Sequence, residues 1–195
     1  MRRQISFAQY RAIDLAMLTF LMLFAEAGIN IARSTAYAGQ LMKASPVGAI
    51  VALVMMRWGP WAAIPAVLGG LVYAAFNATV NQTYIIYGAG NLLVLVVLLY
   101  FKVFPKDQVR GSVLNSIADG ALVQLSMLLG RALVGRVLGF PVAVCVSFIT
   151  ADALSVLLTV VAVWIVRRIE GLFEDQKSYL LRIQQERQVE GREQF

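Results

Sequence analysis

An all-α integral membrane protein, built as a bundle of six transmembrane helices, is the fold the sequence predicts, and three observations predict it. Of its 195 residues, 59% are hydrophobic and only 14% charged, with no His and a mean hydropathy of +0.72. A water-soluble domain needs more charge than that to cover its core. The apolar residues fall into six runs of about 17–23 residues, the length that crosses a hydrocarbon core of ~30 Å. Turn chemistry separates the runs, and no connection between them exceeds about a dozen residues. The membrane domain is expected over 1–168, with a charged amphipathic tail over 169–195.

The first span, 12–32, follows Arg2, Arg3 and Arg11 and lacks an A-x-A cleavage signature, so it reads as a retained span and not a signal peptide. It carries two acids, Asp14 and Glu26, in otherwise lipid-compatible sequence. Ala8, Ala12 and Ala16 recur every four residues and stack on one helical face beside Arg11 and Asp14. The second span, 41–57, is the least regular, with Lys43 and Pro46 near its start. After "RWGPW" comes the third, 61–78, with Ala62, Ala66, Gly70, Ala74 and Ala78 forming a groove suited to internal helix packing. "NATVNQT" leads into the fourth, 84–103, and "FPKDQVRGS" into the fifth, 112–134. "GRVLGFP" precedes the sixth, 142–166. The tail, "RRIEGLFEDQKSYLLRIQQERQVEGREQF", places Ile169, Leu172, Phe173, Leu180 and Ile183 at roughly helical spacing, as a helix on the bilayer surface or on a partner would.

Lysine and arginine set the orientation. With the N-terminus in the cytosol, Arg2, Arg3, Arg11, Arg57, Lys102, Lys106, Arg110, Arg167 and Arg168 are inside, and Arg33, Lys43, Arg131 and Arg136 outside. Nine against four puts both termini in the cytosol. The outer mouth then carries four basic residues and no loop acid, a field that would attract an anionic solute; the bland alternative is a chance placement of Arg and Lys that snorkel at helix ends.

Polar side chains are costly in lipid, so those inside spans carry the most information. Tyr84, Tyr87, Gly88 and Asn91 share one face of span four. Span five is polar on two faces: Asn115, Asp119 and Ser126 on one, Ser116, Gly120, Gln124 and Arg131 on the other. Span six aligns Cys145, Phe148, Asp152, Ser155 and Thr159. By depth, Tyr84, Tyr87, Asn91, Gln124, Arg131 and Asp152 all lie between the outer surface and the midplane. They have the composition of a ligand cavity open to the outside, with aromatic walls, hydrogen-bonding groups, a cation and an anion. The bland alternative is an Arg131 that snorkels, an Asp152 neutralised by a neighbour, and amides that serve as interhelical glue. No phosphate loop, zinc-protease helix or nucleophile elbow is present, and "GRALVG" lacks the Lys and Ser or Thr that would make it one. No feature supports nucleic-acid binding. No cofactor or metal is expected, and Cys145 reads as packing.

Six spans with both termini cytosolic, the alanine row in "AIDLA" (Ala12 to Ala16), the stretch "VMMRWGPWAAIPAVLGGLVYA", and polar groups gathered in the outer halves of spans four to six resemble the S components of energy-coupling factor (ECF) vitamin transporters of prokaryotes. The resemblance covers residues 5 to about 170. It implies a non-enzymatic subunit of the cell membrane that captures a small water-soluble vitamin or related metabolite at the outer face. A separate transmembrane coupling subunit and two ATPase subunits then drive uptake. Ala12 and Ala16 would form part of the docking surface for that coupling subunit, with Ala8 a looser extension. The resemblance carries no signature of one ligand. The competing class is a structural membrane scaffold of the rod-shape-determining MreD type. An intramembrane enzyme using Asp119 and Asp152 is disfavoured, because the two acids lie on different spans at different depths.

Overall fold

The structure is a computed structural model that describes residues 6–36, 44–77 and 80–193. Arg2, Arg3, Lys43, Ala78 and the start of the second expected span at 41–43 lie outside the described residues. The protein is all-α, and by helix length and hydropathy it is a multi-pass membrane protein. Among the described residues, five helical segments are long and apolar enough to cross a bilayer: Phe7–Arg33, Val47–Asn77, Gln82–Val103, Val113–Val137 and Val142–Val166.

Helix α1 spans Phe7–Ala36, α2 Val47–Trp58 and α3 Ala63–Asn77, the last two joined by a 3-10 turn at Gly59–Ala62. The 47–77 segment is not one rod. In a straight helix Val47 and Gly69 would stand ~33 Å apart, yet a Cβ on Gly69 would meet the Val47 methyls at 2.7 Å. The chain reverses at Gly59, whose φ of 61° is a conformation that glycine adopts without steric cost. Segment 47–77 is therefore an antiparallel hairpin, which the "RWGPW" break anticipates. Its first leg, α2, has 12 residues and runs only ~18 Å.

Helix α4, Gln82–Val103, tightens into a 3-10 stretch from Asn91 to Leu99. The buried residues there, Asn91, Val94 and Val97, recur every three, as the tighter winding requires. Short α5, Lys106–Gly111, leads to α6, Val113–Val137. Ser112 caps α6, its hydroxyl accepting from the Asn115 amide at 3.3 Å. Helix α7, Val142–Val166, is interrupted at Ala151 and Asp152, and α8 spans Gln176–Glu193. The small-residue stripe of α3 is a seam as expected: Ala62, Ala66, Gly70 and Ala74 are buried, and a Cβ on Gly70 would run into the Tyr87 carbonyl of α4.

The tail is less detached than its composition suggests. At the end of the bundle where Phe7 and Tyr10 meet Trp58, the turn after α7 folds back beneath the helices. It inserts Phe173 into the core and buries Gln176, which accepts from the Tyr10 hydroxyl at 3.1 Å. Arg57 ties this end together. Its Nε and Nη2 donate to the two oxygens of Asp14 at 2.9 and 2.8 Å, and its Nη1 donates to the carbonyls of Gly171 and Leu172. The first of the two span acids is thus a structural partner of α2. Lys106 and Arg110 of α5 add ion pairs to Asp175 and Glu174. Burial alone would raise the Asp175 carboxyl. The bond and charge of Lys106 and the amides of Ser178 and Lys177 outweigh it and hold the group below its usual value. Arg57→Met is expected to cost about 3 kcal/mol, since it takes the cation from a largely buried carboxylate and the donor from the Leu172 carbonyl, although Trp58 Nε1 still donates to Asp14 and the Gln176 amide to the Gly171 carbonyl. Thermal unfolding in detergent, with proteolysis between residues 167 and 176 as the local readout, checks it.

Candidate functional site

Three backbone features converge in the half of the bundle that ends at Arg33 and Asn77, whose side chains bond each other at 2.9 Å. Helices α4 and α6 touch backbone to backbone, because a Cβ on Gly130 would strike the Gly90 carbonyl and one on Gly90 the Arg131 backbone. At this crossing α4 changes to 3-10 winding, beginning at Asn91. Across from it, α7 breaks at Asp152. Irregular backbone at membrane depth is tolerated where protein surrounds it, and it recurs at binding sites.

The side chains that these features aim inward form one network. Arg131, only 1% exposed, donates Nε to Asn91 Oδ1 at 2.8 Å and Nη1 to Asp152 Oδ2 at 2.5 Å. Asn91 in turn donates to the Ala66 carbonyl at 2.7 Å, fixing its amide so that the oxygen faces Arg131. The Tyr73 hydroxyl donates to the other Asp152 oxygen at 3.3 Å. Tyr73 and Tyr87 stack with centroids 4.6 Å apart, and the guanidinium lies 4.5 Å from the Tyr87 ring centroid. Four helices thus contribute to one ion pair walled by two aromatic rings.

A second polar chain runs beside it. Glu26 of α1, fully buried, accepts from the Asn30 amide at 2.8 Å and the Ser45 hydroxyl at 2.7 Å. The Ser45 amide donates to the Ser155 hydroxyl on α7 at 2.9 Å, and Asn77 donates to Asn30 Oδ1 at 2.8 Å. The chain reaches from the Arg33 end down to the level of the α7 break.

Four of the six expected ligand residues therefore meet directly: Tyr87, Asn91, Arg131 and Asp152. Gln124 is buried two turns away along α6, accepting from the Thr159 hydroxyl at 3.4 Å and pressed against Gly48 of α2. Tyr84 does not join them. It is 39% exposed and lines an apolar hollow with Val67, Leu71 and Ile85 on the outside of the bundle. Asp119 lies twelve residues, or ~18 Å, along α6 from Arg131, with both oxygens buried and, among the described residues, without a hydrogen-bond partner. It shares no partner with Asp152. Arg136, at the end of α6, donates to the Phe140 carbonyl at 3.4 Å.

Sequence reasoning missed Tyr73, Asn30, Ser45 and Asn77. One signal could have found two of them: Ala66, Gly70, Tyr73 and Asn77 continue the α3 stripe at i, i+4, i+7 and i+11, so the small residues and the polar ones share a face. Ala12 and Ala16, expected as a docking face, are exposed and line an open apolar groove between α1 and α3, away from this network. No protein-family model, no curated protein and no solved structure matches the chain.

Proposed function

We propose that the protein is the substrate-binding subunit of an ATP-driven importer of the energy-coupling factor type. It crosses a prokaryotic cell membrane six times, with both termini cytosolic and the Arg33 end facing out. The observation that carries this reading is the Arg131–Asp152 pair, buried where α7 breaks and α4 changes winding, and walled by Tyr73 and Tyr87. A charge pair is an expensive object in a membrane protein, and placing it beside irregular backbone is characteristic of sites that bind solutes. The ligand is a small water-soluble vitamin or related metabolite. An anionic ligand group would have to displace Asp152 from the guanidinium, so a solute carrying both a donor and an acceptor, able to insert between the two, suits the pair better. The chain itself is non-enzymatic in this reading, and the coupling subunit and two ATPases supply the work.

Mass spectrometry of small molecules released from protein purified out of its native host tests the reading. One molecule per chain, lost in Asp152→Asn and Tyr73→Phe variants that still fold, is the expected result; folded wild-type protein that never carries or binds a solute counts against it. With that ligand in hand, Arg131→Lys is expected to bind about tenfold or more weaker, because an ammonium lacks the planar fork. The scaffold reading is favoured by one feature, the complete pairing of Asp152 by Arg131 and Tyr73. It predicts that these variants change stability and carry no bound solute in any form.

Docking has its own expected outcome. Ala12→Trp and Ala16→Trp fill the exposed α1 face, so co-purification with the coupling subunit should fall by at least about tenfold while solute binding, far along the bundle, is unchanged. Pull-down with the coupling subunit and a binding titration measure the two separately.

A further inference from the structure

We infer that the α1/α3 face is a binding site for one anionic phospholipid of the leaflet at the Trp58 end, with its phosphate held by Arg11 and Lys177 and an acyl chain laid over Ala12 and Ala16. Two hollows meet there. One is the apolar groove of about 450 Å³, floored by Ala8, Ala12 and Ala16 and walled by Ile64 and Leu68. The other is a polar bowl of about 290 Å³ at the bundle end, lined by Arg11, Arg57, Lys106 and Lys177 with one acid, Asp175. Arg11 and Trp61 line both, so the hollows form one surface that is charged at the end of the bundle and apolar along its side.

The charges favour a phosphate. Arg57 is paired with Asp14 and Lys106 with Asp175. Among the described residues Arg11 and Lys177 have no carboxylate within ion-pair distance, which leaves the bowl two net positive charges. Arg11 instead stacks on Trp61 with its guanidinium carbon 4.4 Å from the ring centroid, a geometry that leaves donors free at the rim. The groove runs from Ala8 to Leu23, ~22 Å along α1, against ~15 Å for the hydrocarbon depth of one leaflet. It is therefore long enough for an acyl chain to lie in from end to end.

A partner helix packed through small residues would fill the groove but would not neutralise the bowl. The lipid would hold this face until such a helix displaced it. Because the lipid is measured on the isolated chain, its test is independent of the uptake reading.

The test titrates delipidated, full-length protein with phosphatidylglycerol and with phosphatidylcholine of the same acyl chains, followed by native mass spectrometry. Each surface cation contributes about a factor of five, so phosphatidylglycerol should bind at least about tenfold tighter. Arg11→Gln with Lys177→Gln should abolish that preference. Arg11→Lys should keep it. Ala12→Phe should weaken both lipids by filling the groove. Equal binding of the two lipids, a preference surviving in the double Gln variant, indifference to Ala12→Phe, or displacement by inorganic phosphate alone would each overturn the proposal.

Discussion

Asp152→Ala is expected to destabilise the protein by about 3–5 kcal/mol, the cost of leaving a buried guanidinium without its partner. Both side chains of the pair are within 2% of full burial, so solvent offers Arg131 no substitute. Asn91 cannot replace Asp152 either: its amide is already committed to the Ala66 carbonyl and its oxygen to Arg131 Nε. The Tyr73 hydroxyl loses its bond to Asp152 in the same variant. Arg131→Met combined with Asp152→Leu should restore most of the loss, because removing both charges also removes their desolvation cost. Reversible unfolding in mixed micelles gives the comparison. If the single variant costs under 1 kcal/mol, water reaches the pair and the site is open in the resting protein.

Gly130→Leu is expected to cost about 3 kcal/mol or more, at the upper end of what overpacking does. The opposing group is the Gly90 carbonyl, part of the α4 backbone. A flexible side chain could swing aside; two helices must separate. Their separation would also pull Asn91 away from Arg131, so Gly130→Leu should abolish solute binding even in conditions where the variant still folds. Gly139→Ala, at a positive-φ turn with open space around it, should cost far less, about 1 kcal/mol through backbone strain alone. A ranking in which Gly139 matters more than Gly130 would mean that α4 and α6 do not pack this closely.

The bundle's two ends use arginine in the same way with different consequences. Arg57 joins α1, α2 and the turn after α7 through an acid and two carbonyls, which closes one end around Phe173. Arg131 joins α4, α6 and α7 around a pair of tyrosines. The first tie lies at a helix end, where a salt bridge is a fastener. The second lies at membrane depth beside a broken helix, where its cost calls for a further role.

Helix positions were legible because each span must satisfy its own backbone in lipid, which forces long apolar runs whose ends are marked by Gly, Pro and charge. The sequence determined in the same way the break at "RWGPW", the α3 seam, and the shared depth of Tyr87, Asn91, Arg131 and Asp152. Depth is a one-dimensional property, so the position of a residue in its run is enough to give it. Which residues touch is not one-dimensional. Tyr84 and Tyr87 lie three apart at nearly equal depth, yet Tyr87 stacks on Tyr73 while Tyr84 faces outward, because the rotation of α4 is set by the Gly90–Gly130 contact. The same contact decided that Arg131 pairs with Asp152 and Asn91, and only the fold-back beneath the bundle decided that Phe173 belongs to the core. Pairings across helices depend on their rotation and crossing angle, and those are fixed by side chains from distant parts of the chain meeting in three dimensions.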